Sequence, residues 1–387
     1  MSTEARRAFA IRTSIGFAGA FLPLAVQLAF LPIWLAQVGF SADQIGALLG
    51  AALAARVVLV PVLVAWSDRF ETRRRAYLLY AGMAAAAALL LLDRGQVGIA
   101  IAVIIASVGG AAVIPVVDAI ALGGVRRFGT SYGRVRLWGS VAFVAATFAT
   151  SGLVETMGYG FVPLAVIGTV FLTVGCGFAV PTVRSVAATT DRPFRPFADP
   201  NLLGGIICGS LVVSSQATYY AFSSIHWAQL GFSADNIAAL WSIGVVAEII
   251  LFAIVGKWFD PSPRTLLLAG VVCGIVRWGS FPFGATFTFY ALNSLLHAGT
   301  FAAAYLGTQK LIAARVREAA HGKAQGLTQI VAGPVTAGMT VLSGSLFARF
   351  GVQAFYAAAL LSALAIVPLL VLYPQSSGSG GETTDPE

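Results

Sequence analysis

Thirty consecutive residues, Thr13 to Ala42, contain no Asp, Glu, Lys or Arg. A second stretch, 278–309, is equally free of them. Runs of this length fit helices that cross a bilayer core of roughly 30 Å, each needing about 20 apolar residues. The first run is too long for the apolar segment of a cleaved signal and reads as a retained spanning helix. Composition agrees with the runs. Apolar residues make up 58% of the chain and charged residues 10%, with a mean hydropathy of +0.85. A soluble chain is about a quarter charged because its surface must be wetted, so most of this surface must face lipid. A net charge of +8 does not indicate a nucleic-acid binder, because the basic residues form short clusters between apolar spans rather than one face. Cys176, Cys208 and Cys273 lie inside apolar stretches, without the spacing of a disulfide framework or a zinc site.

A ruler of about 20 residues predicts twelve spans: 13–36, 43–66, 76–92, 97–124, 132–154, 160–181, 202–228, 235–257, 265–281, 286–309, 322–348 and 352–373. Pro282 and Gly284 divide the uncharged stretch between the ninth and the tenth. With both termini in the cytoplasm, twenty Lys and Arg residues fall on or near the inner side, Arg94 and Arg349 fall outside, and Arg56 and Arg277 lie within spans. Such an inner excess fixes orientation. His226 and Trp227, at the end of the seventh span, are expected in the outer interfacial belt.

The chain repeats at an offset of 192: Gly39-Phe40-Ser41-Ala42-Asp43 recurs as Gly231-Phe232-Ser233-Ala234-Asp235. At the same offset Ala36-Gln37 matches Ala228-Gln229, Trp66 matches Trp258 and Asp68 matches Asp260. The expected fold is an all-α membrane protein: an N-terminal six-helix half (1–182), a cytoplasmic linker (183–200), a C-terminal six-helix half (201–374) and a polar, disordered tail (375–387). Two parallel six-helix halves are an architecture of secondary transporters, which bind solute at mid-membrane between the halves.

Ionisable groups inside spans cost about 2.5–3.5 kcal/mol each on insertion scales and so face a cavity and a partner. Arg56 and Glu248 lie thirteen residues into spans two and eight, so the repeat sets a cation and an anion at matching depths. Arg277, in span nine, is placed where its long side chain can bridge to Glu248. Asp118 is in span four, Arg136 near the start of span five, and His297 in span ten. Arginine keeps its charge and must find an anion, whereas Glu248 and Asp118 can be neutralised by a proton. Static alternatives stand beside these roles: a Glu248–Arg277 pair that orients helices, an Asp118–Arg136 latch, and His297 as a polar packing residue. Phe21, Phe30, Trp34, Phe143, Tyr219 and Tyr220 are candidate cavity aromatics, or ordinary packing contacts.

The loop Trp66-Ser67-Asp68-Arg69 through Arg75 resembles the signature between helices two and three of the major facilitator superfamily, with Ala65-Trp66 standing where the family has its leading glycine. Tyr132-Gly133-Arg134-Val135-Arg136-Leu137-Trp138-Gly139, Leu240 to Glu248, Cys273 to Gly279, Leu296 to Phe301 and Lys310 to Arg315 resemble the phenylpropionate-transporter branch of that superfamily. They are more distantly similar to proton-coupled lactose permeases. That likeness implies solute binding by Asp118 and Arg136, coupling by Glu248, and supporting roles for Arg277 and His297. The permease's proton-carrying acid three residues after the histidine is Thr300 here, which puts Glu248 forward as the proton carrier. Asp68, Arg69 and Arg73 are expected to hold the inner gate.

The resulting expectation is a monomeric transporter of a bacterial inner membrane, importing a small organic acid, an aromatic monocarboxylate such as phenylpropionate, together with protons. Solute contacts are expected from Asp118, Arg136, Arg277, Arg56 and Phe143, and proton coupling from Glu248 and His297. Symport of a sugar or nucleoside, and proton-driven efflux of a lipophilic metabolite, remain as alternatives. No nucleotide loop, metal-ligand cluster or nucleophile–base motif stands out, so no enzyme activity, cofactor, metal or nucleic-acid partner is expected.

Overall fold

The computed structural model describes residues 3–67, 69–93, 95–182, 199–317 and 320–373, without the side chain of Arg126. Asp68, Arg94, nearly all of the expected linker and the whole expected tail lie outside the described residues. Regular structure among the described residues is helical. The first seven helices are α1 (Thr3–Ala29), α2 (Leu31–Gln37), α3 (Ala42–Ser67), α4 (Arg73–Ala88), α5 (Gln96–Phe128), α6 (Tyr132–Met157) and α7 (Val162–Ala179). After the linker come α8 (Pro200–Ser214), α9 (Ala217–Gln229), α10 (Ala234–Ile254), α11 (Pro263–Ser280) and α12 (Phe287–Leu295). The chain ends with α13 (Ala304–Arg315), α14 (His321–Phe350), α15 (Phe355–Leu364) and α16 (Ile366–Val371).

Ten helical stretches among the described residues are long and apolar enough to cross a membrane. One of them, His321–Val371, runs for 51 residues, far more than a single crossing needs. It ends its first helix at Gly351, whose φ of +59° only glycine adopts readily. The tenth expected span is outside the ten because its helix is interrupted: α12 stops at Leu295, a π-helical turn covers Ala298–Ala303, and α13 resumes. The split from the ninth span falls where Pro282 and Gly284 placed it, at a 3-10 turn over Phe281–Phe283.

The repeated pentapeptide is a helix stop followed by a helix start. Gly39 (φ +94°) and Gly231 (φ +82°) close the preceding helices in the left-handed region. Phe40 N–H donates to the Leu35 carbonyl and Phe232 N–H to the Trp227 carbonyl, both at 3.0 Å, a capping pattern that satisfies last-turn carbonyls. Ser41 and Ser233 then accept from the backbone of Gln44 (3.3 Å) and Asn236 (3.2 Å), as N-cap hydroxyls do. The repeat extends to packing. α3 lies along α14 and α10 along α6, and a shift of 192 carries the range of α3 onto α10 and that of α6 onto α14. The two contacts therefore correspond in the two copies of the repeat.

Their chemistry differs. At α3–α14, Gly46 faces the backbone of Gly344 so closely that a Cβ added at Gly46 would lie 2.6 Å from its Cα. Small residues permit such approach between membrane helices. At α6–α10, Glu155 Oε1 accepts from the backbone N–H of Ala234 at 2.5 Å, and Ser151 donates to Asp235 at 2.6 Å. His226 and Trp227 correct the expectation of an interfacial belt. Trp227 is 0% exposed, and His226 Nε2 meets the Tyr290 hydroxyl at 2.7 Å. Both belong to an aromatic core with Tyr219, Phe281 and Tyr290, because α9 is enclosed between α2, α14 and α15.

Candidate functional site

Three helices bring Arg277, His297 and Glu248 into one line. Arg277 in α11 is 0% exposed; its Nη1 donates to Thr300 Oγ1 at 2.9 Å and meets His297 Nδ1 at 3.1 Å. Its guanidinium lies 4.5 Å from the ring centre of Tyr219 and 4.3 Å from that of Trp278, the geometry in which an aromatic face stabilises a cation. A guanidinium has only donors, so Nδ1 of His297 accepts and the ring's hydrogen sits on Nε2. Nε2 faces Glu248 at 3.6 Å. His297 therefore stands between the two charges, and the direct Glu248–Arg277 bridge expected from sequence does not form. The Glu248 side chain is 19% exposed, while Arg277 Nε and Nη2 are buried without a hydrogen-bond partner among the described residues.

The second cluster belongs to the N-terminal repeat. Asp118 in α5 accepts from the Tyr132 hydroxyl at 2.9 Å. Arg136, one helical turn beyond Tyr132 on α6, lies 4.2 Å over the Phe21 ring and 5.4 Å from that of Phe17. The expected Asp118–Arg136 latch is thus replaced: Tyr132 takes the carboxylate, and aromatic faces hold the guanidinium. Gly139 makes room for this, since a Cβ there would meet Phe21 Cδ2 at 2.9 Å and Arg136 Nη1 at 3.1 Å. Arg136 stays partly open.

Arg56 is partly buried and lines a cavity of about 70 Å³ with Gln27, Ser107, Gly110 and Thr173. No ion pair reaches it among the described residues. Phe143 is closed into the core, so in this conformation it offers no face to a solute; Phe30, Trp34 and Tyr219 are buried with it. Phe21 is half-buried and supports Arg136. A larger groove of about 650 Å³ runs along α6, α10 and α12. Its walls, including Phe148, Val246, Ile250 and Leu295, are apolar and exposed, so it is lipid-facing surface beside the charges rather than the charged site.

At the inner turn, Arg69 is exposed, Arg73 opens α4 and Arg75 pairs with Glu71 at 2.9 Å. The repeat partner of Asp68, Asp260, is paired with Lys310 at 2.5 Å, an ionic tie on α13 that sequence reading missed. Also missed were Tyr132 as the partner of Asp118 and Thr300, Tyr219 and Trp278 as partners of Arg277. Tyr132 was findable, since it precedes Arg136 by one turn. Among the described residues no group of three or more His, Cys, Asp or Glu side chains is placed to hold a metal.

A model of the MFS_1 like family matches residues 17–358. The probable 3-phenylpropionic acid transporter of Escherichia coli (strain K12) is 30% identical over 372 residues, covering 94% of this chain and 96% of the relative. The putative nucleoside transporter YegT of the same strain is 26% identical over 327 residues, with 76% of this chain and 75% of the relative covered. Among solved structures, the nucleoside transporter NupG superposes with a TM-score of 0.77 at 14% identity, covering 94% of this chain and 98% of that one. That degree of identity speaks to the fold alone.

Proposed function

The chain belongs to the MFS_1 like family of membrane transporters, and we propose that it carries a small aromatic monocarboxylate inward together with protons. One observation carries this reading. Arg56, Arg136 and Arg277 all lie in spanning helices, and none has a carboxylate within ion-pair distance among the described residues. Asp118 is taken by Tyr132 and Glu248 faces His297. Three cations against two carboxylates leave one positive charge, which attracts a monoanionic solute, and a proton taken up by Glu248 balances the charge that the anion brings. A membrane interior tolerates charge poorly, so anion and proton loaded together, which add no net charge to the carrier, are the cargo it moves across.

Arg136 is the favoured anchor for the solute carboxylate, because it is partly open and held only by ring faces, whereas Arg277 is enclosed. Glu248 is the proton carrier, and Arg277 acts through His297 to fix the tautomer that faces it. Arg56 supplies a second positive group in the N-terminal half. Asp68, Arg69 and Arg73 form the inner gate, in a two-half carrier (1–182 and 201–374) of the bacterial inner membrane with both termini cytoplasmic. The name of the 30% identical relative supports an aromatic acid as solute.

A second reading, nucleoside or sugar symport, is favoured by the Asp118–Tyr132 pair, which suits hydroxyl groups, and by the name of the 26% identical relative. Purified protein in liposomes separates the two. Uptake of phenylpropionate driven by an inward proton gradient is expected, with loss in Glu248→Gln and retention of counterflow. Inhibition by uridine or xylose but not by aromatic acids selects the second reading. Undiminished gradient-driven uptake in Glu248→Gln removes that residue from coupling.

A further inference from the structure

One helix face links the two charged clusters. His297, Phe301 and Tyr305 stand four residues apart, and their rings are parallel: His297 and Phe301 at 5.5 Å and 5°, Phe301 and Tyr305 at 6.3 Å and 7°. A regular helix does not produce so straight a row. At about 3.6 residues per turn, a residue eight positions on is rotated by roughly 80°. The π-helical turn at Ala298–Ala303 inserts one residue into the winding and takes up about that rotation. Phe252 of α10 braces the far end, with its ring edge-on to Tyr305 at 6.2 Å.

The Tyr305 end of the row is exposed and turned toward the N-terminal repeat. α13 packs on α8, α11, α14 and the π turn, all from the C-terminal repeat. Yet Tyr305 lies within electrostatic range of Asp118, Tyr132 and Arg136 of the N-terminal repeat, and it is 47% exposed. A half-exposed ring whose polar neighbours sit on the opposite wall faces a gap rather than packed protein. At one end of the row His297 faces the proton carrier Glu248; the other end, Tyr305, lies within electrostatic range of the partly open guanidinium of Arg136.

We propose that Phe301 and Tyr305 are the stacking wall that seats the planar ring of the solute, and that they set its preference for an aromatic over a saturated acid. A ring on this wall with a short carboxylate tail reaches Arg136 without displacing Arg277. This rests on the aromatic-acid reading above and extends it to two residues to which that reading gave no role.

The test uses counterflow in proteoliposomes, which does not depend on the proton gradient, and compares phenylpropionate with cyclohexylpropionate. The two share a carboxylate and a carbon count and differ in ring flatness. Wild type is expected to prefer the flat ring. Phe301→Leu and Tyr305→Leu are expected to cut that preference by roughly 2- to 12-fold, the factor one aromatic contact supplies, while Tyr305→Phe keeps it. A preference unchanged in both leucine variants, or equal loss of both solutes in each, overturns the wall. Failure of wild type to exchange either acid overturns the aromatic-acid reading itself, and the wall with it.

Discussion

His297 presents its Nε2 to Glu248 at 3.6 Å while its Nδ1 faces Arg277 at 3.1 Å. The arginine can only donate, so it fixes which ring nitrogen carries the hydrogen. The imidazole is thereby a polarised spacer between a permanent cation and a carboxylate that can take a proton.

A spacer can be replaced by another group that accepts at one end and donates at the other. His297→Gln is expected to keep gradient-driven uptake within about threefold of wild type, because an amide supplies both an acceptor and a donor. His297→Phe leaves buried polar groups unpaired, at a cost of about 1–3 kcal/mol, and should lower both thermal stability and coupled uptake. Complete loss of coupling in His297→Gln with counterflow intact makes the ring a proton relay instead.

Tyr132 keeps Asp118 occupied through its hydroxyl and so keeps Arg136 available. Tyr132→Phe frees the carboxylate, which lies within electrostatic range of Arg136 and competes with the solute for it. The expected result is a KM raised about tenfold, matching a charge-assisted hydrogen bond of about 1.5 kcal/mol. Adding Asp118→Asn to Tyr132→Phe should restore much of that affinity. A double variant no better than the single one places Asp118 directly on the solute.

What the sequence disclosed and what it hid divide along physical lines. Spans were readable because lipid demands uncharged stretches, and the repeat because Gly39 and Gly231 both need positive φ followed by a serine cap. Arg136, Glu248, Arg277 and His297 were findable as charges in costly places. Their partners were not, since a span position fixes depth but not which neighbour wins. Tyr132 rather than Arg136 takes Asp118, and His297 with two ring faces takes Arg277 from Glu248. The π turn after His297 leaves no trace in apolar periodicity, so the row of rings it creates was invisible. Trp227 misled because tryptophan favours interfaces, but its ring fits an aromatic core instead.

The α3–α14 contact has no room for added atoms at its outer end. Gly46→Ala sets a Cβ against backbone, which cannot yield as a side chain does. The expected cost is about 1–3 kcal/mol, typical of overpacking, read as a lower melting temperature in detergent. Gly338→Ala, on α14 but with nothing within 4 Å of the new Cβ, is the control and should be neutral. Equal stability of the two variants refutes a tight contact at Gly46.

The equivalent contact on the other side is held by polar groups. Glu155 of α6 caps the start of α10 by accepting from the N–H groups of Ala234 (2.5 Å) and Asp235 (3.4 Å), where the helix dipole favours a negative charge. The repeat sets Ser343 and Phe347 at the positions of Ser151 and Glu155, so α14 has no carboxylate to cap α3 in return. The outer closure is therefore asymmetric: a glycine contact on one side, a carboxylate cap joining the two halves on the other. Glu155→Ala removes the cap at a cost of about 1 kcal/mol, which favours the outward-open form about fivefold. Glu155→Gln keeps an acceptor oxygen and should shift it less. The measurement is the labelling rate of Ala238→Cys, a position buried near the outer end of α10, by an impermeant maleimide in a background with Cys176, Cys208 and Cys273 changed to serine. A rate unaltered by Glu155→Ala means that the cap does not hold the outer side shut.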